Sequence, residues 1–199
     1  MRRALLVLTA LLALTGCEVY RPAPPEEIAR ARYVSDEPPS VTLLSMVNAR
    51  SGRSAHAGLL INGSQQVLYD PAGTFAHPAL PRAGDIHYGM TPRYVDYYER
   101  YHARFDFFVE VQQVPVSRAA ADQLIANAQA EGQQLKATCS LATADVLRPV
   151  PPFERVTRSF FPEALRKDFA ALPGVQTRYV RELDVGKNRG WERSAEVQP

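Results

Sequence analysis

Ser54-Ala55-His56-Ala57-Gly58-Leu59-Leu60-Ile61-Asn62-Gly63 runs directly into Ser64-Gln65-Gln66-Val67-Leu68-Tyr69-Asp70, and this stretch decides the fold class. Residues 55–61 read as a strand. Asn62-Gly63 is a strong hairpin signal, because tight hairpin turns need positive φ and these two residues tolerate it. Gln66–Tyr69 reads as the returning strand, and Asp70-Pro71-Ala72-Gly73 ends it with turn chemistry. His56 is a polar residue opening an apolar strand, and Gly58 lets another element approach that strand closely. An antiparallel return carries Asp70 back towards His56, where a carboxylate can fix the tautomer of an imidazole.

Working outward, residues 41–47 alternate and branch like a strand. Thr91-Pro92 is an N-cap with a first-turn proline, so a helix begins there. Tyr94, Tyr97, Tyr98 and Tyr101 fall on one face of it, a pattern that fits a packing stripe better than a ligand-binding shelf. Residues 105–114 are aromatic and β-branched and read as a strand. Ser117 caps a helix running to about Glu131, with Leu124 and Ile125 facing inward, and Gly132 stops it. Residues 138–147 form a short apolar helix, closed by Pro149, Pro151 and Pro152. Residues 163–171 read as a helix and 177–183 as a strand. Residues 72–92 match no motif and read as loops that would set specificity. The expected architecture is an α+β domain over 41–185, with a small antiparallel sheet packed against the helix that bears Cys139. A polar tail, 186–199, follows.

Residues 1–16 carry Arg2 and Arg3, then an apolar run too short to span a bilayer. They end in Leu14-Thr15-Gly16-Cys17, which resembles the bacterial lipoprotein cleavage box. That resemblance implies removal of residues 1–16 and acylation of Cys17, giving a membrane anchor on the periplasmic face of the cell envelope. Glu18, in place of aspartate, implies the outer membrane rather than the inner. Residues 17–40 are dense in proline and charge and read as the anchor and an extended tether. The chain has 23 basic and 21 acidic residues. Both basic residues of the leader depart with it, so the remainder is balanced. No basic run offers a footprint for nucleic acid. No histidine pair has metal-ligand spacing, and no glycine-rich phosphate loop occurs, so no cofactor is expected.

With Cys17 committed to the anchor, Cys139 has no partner for an internal disulfide. A lone thiol in an exported chain is a flag for reactivity. Its place at a helix start, in Ala137-Thr138-Cys139-Ser140-Leu141, favours the thiolate. The plain alternative is a small buried hydrophobe. A thiol nucleophile needs a base and a group to orient that base. His56 is the best placed of His56, His77, His87 and His102, because a strand holds an imidazole more rigidly than a loop does. Asp70 is the candidate third residue, though it serves equally well as a turn residue, and His87 is its rival. The backbone N–H of Cys139 is a better oxyanion donor than the side chain of Gln133.

His56-Ala57-Gly58-Leu59-Leu60-Ile61 and Cys139-Ser140-Leu141-Ala142-Thr143-Ala144-Asp145-Val146-Leu147 resemble the papain-like NlpC-type superfamily. There a cysteine heads a helix, a histidine opens a strand, and a polar residue lies on the neighbouring strand. The histidine precedes the cysteine here, as in the circularly permuted branch that includes the lecithin–retinol acyltransferase relatives. The resemblance implies Cys139 as nucleophile, His56 as base, and an amide or ester bond as target, in a cell-wall peptide or a lipid. The other reading is a non-catalytic envelope lipoprotein that binds peptide or lipid in a degenerate cleft.

Overall fold

The computed structural model describes residues 21–182. The leader, Cys17 and the tail expected over 186–199 lie outside that range. Strand β1 (Ser40–Asn48) is buried at every position but the last. A strand can be that apolar only where both faces are covered. Its alternate side chains feed two cores. Val41 and Leu43 join Leu59, Ile61 and Tyr69 under Leu124, Val146, Leu165 and Phe169. Leu44 and Met46 join Leu68, Val109 and Val111 under Phe75, Tyr97 and Tyr98.

The sheet has seven strands, all antiparallel, in the order β4-β5-β3-β2-β1-β6-β7. Strand β2 (Ser54–Asn62) pairs with β1 and with β3 (Gln66–Tyr69). Strand β6 (Phe107–Pro115) flanks β1 on the other side, and β7 (Gln176–Val180) forms the far edge. The sheet is larger than expected. Residues 72–92 contain β4 (Arg82–Ala83) and β5 (Ile86–Tyr88), which are too short to show a period-two pattern.

Helix α2 (Pro92–His102) lies on one face. Helices α3 (Arg118–Glu131), α4 (Cys139–Leu147) and α5 (Pro162–Ala170) cover the other. The Ser117 hydroxyl accepts from the Ala120 N–H and caps α3, and Gly132, at φ 65°, ends it.

The segment before β1 is bound to the domain. Helix α1 (Pro25–Arg30) lays Ile28 against the core. The Ala23 N–H donates to the Arg82 carbonyl, the Gln66 N–H to the Tyr33 carbonyl, and Asn62 Nδ2 to the Glu37 and Pro38 carbonyls. Gly89, at φ 80°, makes room for this segment, since a Cβ there would sit 2.9 Å from the Ala31 carbonyl oxygen. Residues 23–38 therefore run from the edge strand β4 across the ends of β5, β3 and β2 instead of extending away from the domain.

Candidate active site

The β2–β3 hairpin sets the site. Register pairs Leu59 with Tyr69, so Asp70 emerges level with the first half of β2. His56 Nε2 and Asp70 Oδ1 are 2.6 Å apart. The same Oδ1 accepts the Tyr98 hydroxyl at 2.8 Å. Gly58 permits this arrangement. A Cβ at that position would lie 2.7 Å from Tyr98 Oη and 3.4 Å from Asp70 Oδ1. The element that approaches β2 at Gly58 is thus α2, through Tyr98.

Cys139 is the first residue of α4 and is 6% exposed. It is the free cysteine of the described residues, and it lies near enough to the His56 ring to act on its titration. Asp70 occupies Nε2, so Nδ1 is the ring nitrogen left for a second partner. The Cys139 and Ser140 N–H groups open the helix and have no intrahelical acceptor. The N-cap residue, Thr138, does not supply one. Its hydroxyl donates to the Leu135 carbonyl at 2.7 Å. Donors at the head of a helix are suited to a developing oxyanion.

Electrostatics bias the pair towards charge. Burial opposes a charged imidazole, but the Asp70 carboxylate outweighs it, and the thiol adds to the effect, so the His56 pKa is pushed up to about 10. Burial likewise opposes ionisation of Asp70, and the His56 cation overcomes it, holding the carboxyl well below its usual range. His56 is therefore an imidazolium and Asp70 a carboxylate at neutral pH. An imidazolium facing a thiol is the partner that a thiolate requires.

Backbone strain marks the same place. Among the described residues, the non-glycine positions with positive φ are Ala72, at 57°, and Ala137, at 67°. Each lies two residues from a site member, Asp70 and Cys139. Such conformations persist only where the surroundings enforce them. Asp85 holds the Ala72 turn directly and anchors the loop that leads to Ala137, since its Oδ2 accepts the Ala72 and Gln134 N–H groups at 2.9 Å. Asp85 is itself buried and paired with Arg82. The turn-capping carboxylate is thus Asp85, while the side chain of Asp70 faces His56.

His87, the rival third residue, lies on β5 with both ring nitrogens buried and without a hydrogen-bond partner. Its ring meets Phe75 edge-on at 5.1 Å, and burial lowers its pKa to about 4. It does not bond His56. Gln133 is exposed at the end of α3. Of the four-tyrosine stripe, Tyr97 and Tyr98 are buried, and Tyr98 also holds the site carboxylate. The tyrosine spacing gave no sign that one member had a polar task. His102, also on α2, had no sequence signal either. Its Nδ1 pairs with the Tyr98 carbonyl, and its ring lies 6.2 Å from that of His56.

His56, itself 20% exposed, opens onto a cleft of about 330 Å³. Met46, Phe107, Ala72, Thr74, His102 and Arg104 also line it. No group of three or more His, Cys, Asp or Glu residues among those described is placed to hold a metal ion. No helix among the described residues is long and apolar enough to cross a membrane. Compared with protein-family models, with curated proteins and with solved structures, the chain matches none.

Proposed function

We propose that this chain is a lipid-anchored periplasmic thiol hydrolase or acyltransferase, with a permuted papain-like fold, acting on an amide or ester bond. One observation carries the reading: an imidazole held by a buried carboxylate stands close to a thiol at the head of a helix. The order of elements supports it, with His56 and Asp70 on adjacent strands and Cys139 on a later helix.

The chemistry follows from the pair. In the reactive state the thiol proton is on His56, and the sulfur attacks the carbonyl carbon. The carbonyl oxygen becomes an oxyanion facing the first N–H groups of α4. Collapse expels the amine or alcohol, which takes the proton from the imidazolium, and a thioester remains on Cys139. His56 then accepts a proton from water or an acceptor alcohol, which attacks the thioester and frees the sulfur. Asp70 holds the ring and its charge throughout, and Tyr98 positions Asp70.

The test is acyl transfer from p-nitrophenyl acetate. Peptide mass spectrometry should find one acetyl group on Cys139, and Cys139→Ala should abolish both this adduct and the burst of nitrophenolate. Acetylation elsewhere, with Cys139 unmodified, would support the second reading, a binding lipoprotein with a degenerate cleft. The near-complete burial of the thiol, set back from the cleft that His56 lines, is the observation favouring that reading.

A further inference from the structure

Six large apolar side chains are exposed among the described residues, and four of them stand on loops at the His56–Cys139 end of the sheet. Phe105, Leu135, Phe160 and Phe161 are each at least 63% exposed. Phe105 lies between Arg104 and Phe107, which line the cleft. The Leu135 carbonyl accepts from the N-cap of the Cys139 helix. Phe161 is the N-cap residue of α5, and Glu163, in the first turn, accepts the Ser54 N–H two residues from His56. The Ala49 N–H donates to the Asp106 carbonyl, which brings the β1–β2 turn to the same end. Exposed apolar groups concentrated in this way mark a surface that meets something.

Charge and chain path say what it meets. These loops, 49–53, 104–107, 133–138 and 159–161, hold Arg50, Arg53 and Lys136 against one carboxylate, Asp106, while the Arg104 guanidinium donates to the Arg100 and Ala103 carbonyls. Apolar tips among cations suit an anionic bilayer surface, with the side chains entering the headgroup region and the cations meeting phosphate. The path of the chain leads there too. Ala23 is bonded to Arg82, which pairs with Asp85, and Asp85 is bonded to Ala72 and Gln134 at this same end. Six residues separate Ala23 from Cys17, a span of about 20 Å at most. An acyl group on Cys17 can therefore reach the bilayer that this end would meet.

We infer that the His56–Cys139 end of the domain docks on an anionic lipid surface, so that the cleft opens at the membrane. The inference concerns the surface and stands apart from the chemistry of Cys139, whose acylation is tested separately.

The experiment uses residues 18–199, which retain every contact described above but carry no acyl chain. They are sedimented with vesicles of phosphatidylcholine alone and with vesicles containing phosphatidylglycerol. Binding to the anionic vesicles is expected, weakening as salt rises. A Phe105→Ser, Leu135→Ser, Phe160→Ser, Phe161→Ser variant should bind about tenfold more weakly or worse. An Arg50→Glu, Arg53→Glu, Lys136→Glu variant should lose the preference for anionic lipid. A Val34→Ser, Tyr179→Ser variant, altered at the two exposed apolar sites elsewhere, should bind like the parent. Amide exchange on vesicles should slow in 104–107 and 133–138. Equal binding by the first variant and the parent overturns the proposal, as does slowed exchange at 62–66 instead. Absence of binding, or self-association through these loops without lipid, overturns it as well.

Discussion

His56 and Asp70 are 14 residues apart in sequence, and Nε2 and Oδ1 are 2.6 Å apart in space. The contact crosses one hairpin, so it forms locally and holds a buried carboxylate against an imidazole. Cys139 comes near that ring only when α4 packs on the sheet.

Asp70→Asn keeps the shape and removes the charge that raises the His56 pKa. The His56 titration, followed by NMR of the ring protons, should fall from about 10 to or below the ordinary 6.5, because burial then acts without its opposing partner. Acyl transfer should drop by about two to four orders of magnitude. An unchanged titration would remove Asp70 from the site.

Thiol reactivity separates the imidazolium from helix capping. Iodoacetamide should label Cys139 at pH 6, where an ordinary thiol, with pKa near 8.5, is almost wholly protonated. His56→Ala should shift labelling to higher pH, since the facing cation is lost. Labelling that begins only in alkaline solution and ignores the substitution would make Cys139 a packing residue.

Stability should carry the signature of the raised imidazole. A folded pKa of about 10, above an unfolded value near 6.5, gives stabilisation that is complete below the unfolded value and is lost as pH rises through the folded one. Asp70 acts in the opposite direction, since its depressed pKa gives stabilisation that is lost in acid. Urea midpoints should therefore decline from pH 6 to pH 10 in the parent and decline less in His56→Ala. Parallel curves would show that the folded ring is not held in its charged form.

Gly58→Ala inserts a methyl group 2.7 Å from Tyr98 Oη. The hydroxyl must shift and its bond to Asp70 must break, at a cost of about 1–3 kcal/mol in stability. Tyr98→Phe removes the oxygen that the methyl would strike. In a double-mutant cycle from denaturant unfolding, Gly58→Ala should cost less on the Tyr98→Phe background. Full additivity would place the clash elsewhere.

Cys17→Ser should leave an unprocessed chain without acyl mass, detected by mass spectrometry of membrane fractions. A wild-type chain that begins downstream of Cys17 and carries no acyl group would exclude the anchor.

Local chemistry determined a good deal in advance. The turn signal near Asn62-Gly63 and the apolar runs beside it indicated an antiparallel hairpin, whose return brings Asp70 back to His56. The loop itself is residues 63–65, with Asn62 paired to Gln66 and without positive φ at Asn62 or Gly63. Thr91-Pro92, Ser117 and Gly132 fixed helix ends, because caps and φ preferences act within a few residues. Strands β4 and β5 were invisible, since two or three residues carry no period and exist only by pairing beyond β3. The binding of residues 23–38 across the strand ends also lay beyond the sequence, because proline density predicts extension but not what the chain lies against. Only tertiary packing brought Cys139, 83 residues after His56 in the chain, to the same ring. It also chose Tyr98 from four similar tyrosines and gave Asp85 the turn that Asp70 resembled it would cap. Contacts between distant elements depend on how layers close over a core, and no spacing within either element records that.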